Sequence, residues 1–280
     1  MRQRCRPLVM FAGTTVFALV VALAWAAAPA AVLAAPAPAL LSTDAATSAS
    51  NAARDWYFKA RGAHERPSIP SAAAKLLRRY GGHWIGARGD KVLYLTFDAA
   101  SELGTTKRIV GILERADVKA SFFLTGRYMH DNPGITRRIF KHGHLVCNHT
   151  YSHPQMTALA GDRSAFTSQV RATERAYHAA TGERLAPYFR PPYGTYSARS
   201  LDLMRGLGYS TVFWSFAYVD YNDDAQPPVS VARARLIAAA SPGVIYLLHA
   251  GSTSNANALT RVIQDLKHRG YRFATLDELP

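Results

Sequence analysis

The sequence predicts an α/β fold of about seven βα units on a parallel sheet, arranged as a barrel or an open doubly wound sheet. Three observations predict it. From Lys91 onward, short apolar runs rich in β-branched and aromatic residues alternate with amphipathic segments. Several of those segments stop at a glycine, as at Gly143, Gly182, Gly208 and Gly270. Polar clusters then stand where apolar runs end: Thr96-Phe97-Asp98, His149-Thr150-Tyr151-Ser152-His153-Pro154, Arg190-Pro191-Pro192-Tyr193-Gly194 and Leu247-Leu248-His249. Strand ends that deliver an acid, two imidazoles, a guanidinium and a further imidazole are how an α/β barrel builds a hydrolytic site at one mouth.

The elements follow in order. Two prolines within four residues make the segment from His64 to Pro70 an extended crossing. Residues 71–79 form a short helix capped by Ser71 and ended by Gly81-Gly82. Strands are expected at 92–97, 120–124, 145–147, 187–190, 211–214, 244–248 and 271–274. Helices are expected at 105–115, 135–141, 164–181, 198–207, 229–240 and 256–267. No Gly-x-Gly-x-x-Gly turn follows a strand and no Gly-Lys-Ser/Thr loop occurs, so nucleotide binding has no support.

A chain of 280 residues with 49% hydrophobic and 19% charged residues can bury a sizeable core. Its formal net charge of +14 favours acidic partners, yet no Lys/Arg run is interleaved with aromatics, so nucleic acid is not expected. Arg2, Arg4 and Arg6 precede an apolar stretch from Leu8 to about Ala35, and Val32-Leu33-Ala34 supplies small residues at a signal-peptidase spacing. Residues 1–34 are therefore expected to be an export signal or a retained anchor. Cleavage after Ala34 removes those three arginines and leaves +11. Residues 35–65 are expected to be a linker and N-terminal extension, flexible to about Arg54, and 66–280 the catalytic domain. Cys5 lies ahead of the apolar stretch, and Cys147 reads as a small core residue without a partner cysteine.

The clusters carry distinct chemistry. His149 and His153, four apart, can converge from one side of a helical turn on a divalent ion. Asp98 ends an apolar strand, where an acid must be paired or functional, and reads as a catalytic carboxylate. Arg190, pinned by Pro191-Pro192, can fix a carboxylate by a two-point contact. Tyr193-Gly194 completes its turn, with backbone N–H groups able to face an oxyanion. His249 reads as a proton donor, and Asp220 as the carboxylate that holds its imidazole.

In this order the clusters resemble the polysaccharide deacetylase (NodB-homology) family over residues 66 to 280. That family carries Thr-Phe-Asp-Asp-Gly, His-Ser/Thr-x-x-His-Pro, Arg-x-Pro-Tyr-Gly, Asp-x-x-Asp-Trp and Leu-His. The segments 64–71, 213–220 and 241–249 are similar to the delta-lactam-biosynthetic branch, which deacetylates N-acetylmuramic acid in peptidoglycan on the route to the muramic delta-lactam of spore cortex. The resemblance implies a distorted (β/α)7-type barrel, export to the cell wall, a monomer acting on peptidoglycan glycan strands, and a divalent metal such as zinc. It implies Asp98 as general base, His149 and His153 as metal ligands, Arg190 as the residue orienting the base, the Tyr193 N–H as oxyanion donor, and His249 with Asp220 as the general acid and its partner. The chain departs from the pattern at Ala99, Ala100 and Ser101 in the first motif and at Ala217 and Tyr221 in the fourth. Ala99 replaces a usual third ligand, which implies weaker metal binding, with Glu102 as a nearby substitute. A non-catalytic wall-binding relative and a chitooligosaccharide or N-acetylglucosamine deacetylase remain as alternatives.

Overall fold

The protein is described by a computed structural model for residues 49–102 and 104–280; the expected export signal or anchor at 1–34 and the first part of the expected linker lie outside the described residues. In chain order the strands are β1 (Arg54–Asp55), β2 (Val92–Ala99), β3 (Ser121–Leu124), β4 (Leu145–Asn148), β5 (Ala186–Phe189), β6 (Thr195–Tyr196), β7 (Ser210–Thr211), β8 (Ile245–His249) and β9 (Arg272–Ala274). The helices are α1 (Ser71–Tyr80), α2 (Thr105–Arg115), α3 (Gly126–Asp131), α4 (Pro133–Lys141), α5 (Met156–Leu159), α6 (Arg163–Thr181), α7 (Ala198–Gly206), α8 (Val229–Ala238) and α9 (Thr253–His268). Among the described residues no helix is long and apolar enough to cross a membrane.

The main sheet is parallel, in the order β7-β5-β4-β3-β2-β8, with β9 also on β2. It curls into a half-barrel with helices outside, which is the predicted fold class. Closure between the two ends is irregular. The chain leaves the β5 ladder after Thr211, so the strand expected through residue 214 is cut short. Ser215 and Phe216 then both donate their N–H to the Ile245 carbonyl, and Phe216 makes an isolated parallel bridge with Tyr246.

Strand parity sets which side chains meet. On β2, Leu93, Leu95, Phe97 and Ala99 pack toward the helices, in one cluster with Phe122, Leu124, Val146 and Leu248. Val92 and Tyr94 face the other side with Phe123, Cys147 and Ile245. Because successive side chains alternate, Asp98, His149, Arg190 and His249 fall on that inner parity at their strand ends. Register adds the lateral alignment: Asp98 stands opposite His249 on one side and Phe123 on the other.

Three local readings are corrected. Ser71 is the first helical residue of α1, not its cap; Pro70 holds the cap position without a side-chain hydrogen bond, while Gly81 ends the helix at φ 67° as expected. α3 was absent from the sequence reading because its six residues carry no helical apolar period; Thr125 caps it by accepting from the Tyr128 N–H. The expected flexible stretch to Arg54 ends earlier. The Ser50 carbonyl accepts from the Arg199 N–H, and β1 pairs antiparallel with β6, so an Ala/Ser-rich stretch is fixed by its backbone.

Candidate active site

Asp98 and Arg190 form the floor. Both are buried, and the Arg190 Nη1 donates to Asp98 Oδ1 at 2.6 Å. The contact to the carboxylate is one-point rather than the expected two-point. The rest of the fork is spent on backbone: Nε donates to the Val212 carbonyl at 3.2 Å and Nη2 to the Phe213 carbonyl at 3.5 Å. The guanidinium also lies over the Phe123 ring, 4.0 Å from its centroid. A buried cation with a carboxylate, two carbonyls and a ring face has its charge answered and an acceptor for each of its three nitrogens. Asp98 keeps Oδ2 for the site, and that oxygen faces His149 Nε2 at 3.7 Å.

His149 and His153 converge, their ring centroids 4.8 Å apart, but not from a helical turn. The chain after β4 is a loop in which Thr150 (φ 66°) and His153 (φ 61°) both take left-handed backbone. For a β-branched residue that conformation is costly and persists only where its surroundings over-determine it. Here the Thr150 N–H donates to Asn148 Oδ1, and Thr150 Oγ1 accepts from the His153 N–H. His149 Nδ1–H donates to the Arg190 carbonyl at 2.8 Å, which leaves Nε2 as a bare lone pair aimed at the site. Burial pushes its pKa down to about 4, against the pull of Asp98, so the imidazole is neutral beside the carboxylate. His153 is also lowered, chiefly by burial.

The donor chemistry of this pair fits a divalent cation: neutral imidazoles, with His149 fixed in the ligand tautomer by a backbone carbonyl. A third protein ligand is missing. Among the described residues no group of three His, Cys, Asp or Glu side chains is placed for a metal. Ala99 packs in the helix-side cluster. Glu102, the expected substitute, instead accepts the Tyr128 hydroxyl at Oε2.

His249 sits across the rim, half-buried. Its Nδ1–H donates to Asp220 Oδ1 at 2.7 Å, and its backbone N–H to Asp220 Oδ2 at 2.9 Å. Burial works against the imidazolium, but the Asp220 hydrogen bond and charge, with help from Asp98, hold its pKa above the ordinary histidine value. Asp220 is fully buried and also accepts from Asn255 Nδ2 at 2.6 Å, while the Tyr218 hydroxyl donates to Asn255 Oδ1 and fixes that amide's orientation. Asn255 and Tyr218 escaped sequence reasoning. The only signal for Asn255 was a polar residue on the buried side of the first turn of α9.

Tyr193 lies in a 3-10 turn, Pro192–Gly194, with φ 61° and its side chain exposed over His153 at 4.7 Å between centroids. Tyr221, also exposed, stands against His249 at 5.4 Å. Asp98, His149, His153 and Arg190 with Tyr193, and His249, thus gather at the strand ends from four separate polar clusters, and Asp220 joins His249 from a fifth segment. Cys147 is a buried core residue whose thiol burial pushes upward, so it takes no part.

Both the sequence and the fold have known relatives. The family model "Polysaccharide deacetylase" matches residues 85–212, which include Asp98, both histidines, Arg190 and Tyr193 but stop short of Asp220 and His249. An uncharacterized 30.6 kDa protein of Geobacillus stearothermophilus is 38% identical, over 80% of this chain and 84% of that protein. The peptidoglycan-N-acetylmuramic acid deacetylase PdaA of Bacillus subtilis is 35% identical, over 80% of this chain and 85% of that protein. The structure of Bacillus subtilis PdaA, a family 4 carbohydrate esterase, matches with a TM-score of 0.79 at 34% identity, covering 82% of this chain and 97% of the chain in that structure. A CE4 family pseudoenzyme from Bacillus anthracis matches with a TM-score of 0.64 at 30% identity, covering 70% of this chain and 67% of that one.

Proposed function

The chain belongs to the polysaccharide deacetylase family, and from that premise we propose that it removes the acetyl group from N-acetylmuramic acid residues of peptidoglycan, on the route to muramic delta-lactam. The observation that carries the reading is the pairing of a carboxylate and an imidazole in opposite roles across one rim. Asp98 is oriented by Arg190, and Asp220 holds the His249 pKa above the ordinary histidine value. The likeness to PdaA, in sequence and in fold, supports the choice of sugar.

The residues divide the chemistry as follows. His149 and His153 would hold a divalent ion, which supplies polarisation of the acetamide carbonyl and acidification of a water. Asp98 Oδ2, free of Arg190, takes the proton from the attacking water. The Tyr193 N–H, presented by its left-handed turn, donates to the oxyanion of the tetrahedral adduct. His249 gives its Nε2 proton to the sugar nitrogen as the C–N bond breaks, because an amide nitrogen does not leave unprotonated. Acetate and a free amine result. Export to the wall and a monomeric state belong to this reading.

Asp98→Asn tests it. The variant should fold like the parent and release no acetate from peptide-free glycan strands. Parent-like turnover would remove Asp98 as the base. Ala99 gives one specific reason to keep a second reading, a non-catalytic wall-binding relative, in view of the likeness to a pseudoenzyme. Failure of the parent protein to release acetate from muramoyl strands and from chitin oligomers, with metal supplied, would favour that reading. Release from chitin oligomers alone would move the substrate to N-acetylglucosamine.

A further inference from the structure

Trp56 stands outside every motif, yet it joins the two loops on which the catalytic floor rests. Its backbone N–H donates to the Gly194 carbonyl at 3.0 Å, and its indole Nε1–H to the Trp214 carbonyl at 2.9 Å. Its ring stacks on Phe213, 4.2 Å between centroids with the planes 18° apart. The neighbouring pair Arg54–Asp55 completes the attachment by pairing with Thr195–Tyr196. Gly194 shows how closely the parts meet: a Cβ there would come within 2.7 Å of the Trp214 ring and 3.2 Å of the Trp56 Cβ.

We propose that Trp56 is a positioning residue for the active site, acting through the 212–214 segment on Arg190 and, through Arg190, on Asp98. The links are explicit. The Val212 and Phe213 carbonyls receive the Arg190 Nε and Nη2 donors, and the third arm of the same planar fork holds Asp98 Oδ1. Past the β5 ladder this segment is held on the sheet side only by the Val212 N–H on the Phe189 carbonyl and by a single parallel bridge of Val212 with His83, with the Phe213 N–H on the His83 carbonyl. The indole on the Trp214 carbonyl and its stack on Phe213 add a second hold from the other end of the segment. The Trp56 N–H simultaneously anchors the turn that presents the Tyr193 N–H. A guanidinium is rigid, so a shift of its acceptors is passed to the carboxylate rather than absorbed. The effect on rate rests on Asp98 being the base; the effect on Arg190 does not.

Two measurements on Trp56→Phe and Trp56→Ala separate these. Exchange of the Arg190 Nε proton, followed by NMR and assigned by its loss in Arg190→Lys, needs no substrate. Trp56→Phe keeps a stacking ring and deletes one neutral hydrogen bond, so exchange should accelerate about two- to tenfold. Acetate release from muramoyl strands should show kcat reduced by a similar factor in Trp56→Phe and about 100-fold in Trp56→Ala, with KM within about twofold of the parent. Leu113→Ala, a core change under α2, is the control for destabilisation alone and should leave both readouts near the parent values. Unchanged Arg190 exchange in Trp56→Phe would overturn the proposal. So would a rise in KM at constant kcat, which would make Trp56 a substrate contact, or equal kcat losses in Leu113→Ala. Faster exchange with intact kcat would instead remove Asp98 as the base.

Discussion

Replacing Asp220 by Asn isolates the charge that prepares His249. The carboxylate accepts three hydrogen bonds, from His249 Nδ1, the His249 backbone N–H and Asn255 Nδ2. An asparagine that keeps its oxygen toward the last two donors turns its NH2 toward His249 Nδ1. The imidazole must then present a lone pair there and loses the charged partner that raised its pKa. Exchanging charge-assisted bonds for neutral ones inside the protein costs about 2–3 kcal/mol of stability. Loss of a general acid lowers the rate by about 10²- to 10⁴-fold. The signs for pH follow from the raised value. Activity needs the imidazolium, so the basic limb of the kcat/KM profile moves to lower pH in the variant. The imidazolium's contribution to stability is complete below the ordinary histidine pKa and is lost as pH rises through the raised folded pKa. The melting temperatures of parent and variant should therefore differ most in acid and converge partly above neutrality. Acetate release and thermal denaturation across pH check both. A variant with an unmoved basic limb and a rate within about twofold of the parent would refute the role given to His249.

Other outcomes are expected. Arg190→Lys keeps a charge but loses the planar fork that serves Asp98 and two carbonyls, and should cost about 3–5 kcal/mol by denaturant titration together with most of kcat. Chelator treatment should abolish acetate release and a divalent salt restore it in the parent, whereas restoration should fail in His149→Ala and His153→Ala. His144 is buried, accepts the Ala120 N–H at Nδ1 and has no partner for Nε2 among the described residues; burial lowers its pKa to about 4. Stability present above the ordinary histidine value should fall as pH drops toward about 4, and His144→Phe should flatten that part of the stability–pH curve.

Much of this architecture was legible because it rests on period-two and helical patterning. The helix at 105–115 has the expected bounds, and every laddered strand of the main sheet was anticipated, since long apolar runs between glycines have few other fates. The site residues were legible as types at strand ends. Their geometry was not. The spacing of His149 and His153 fits a helical turn, but local side-chain bonds from Asn148 and Thr150, with long-range bonds to Gly126, Arg127 and Gln169, hold the left-handed backbone found there. Arg190 was expected to grip a carboxylate twice; the Val212 and Phe213 carbonyls that claim its other donors come from a segment whose strand ends three residues early, at Thr211. Asn255, Tyr218 and Trp56 act through long-range contacts, which leave no local pattern to read.

The irregular closure between Thr211 and Tyr246 has a dynamic consequence. Elsewhere the strands pair in ladders, with one register shift between β4 and β5 at Cys147/Asn148. Here a handful of main-chain bonds span the join, so a partial opening is available at far less than the global unfolding free energy. Amide hydrogens of Ser215, Phe216 and Leu247 should exchange with deuterium ahead of those of Leu93, Leu95 and Phe122. A polymer lying across the join would slow them, making those three amides a native gauge of occupancy.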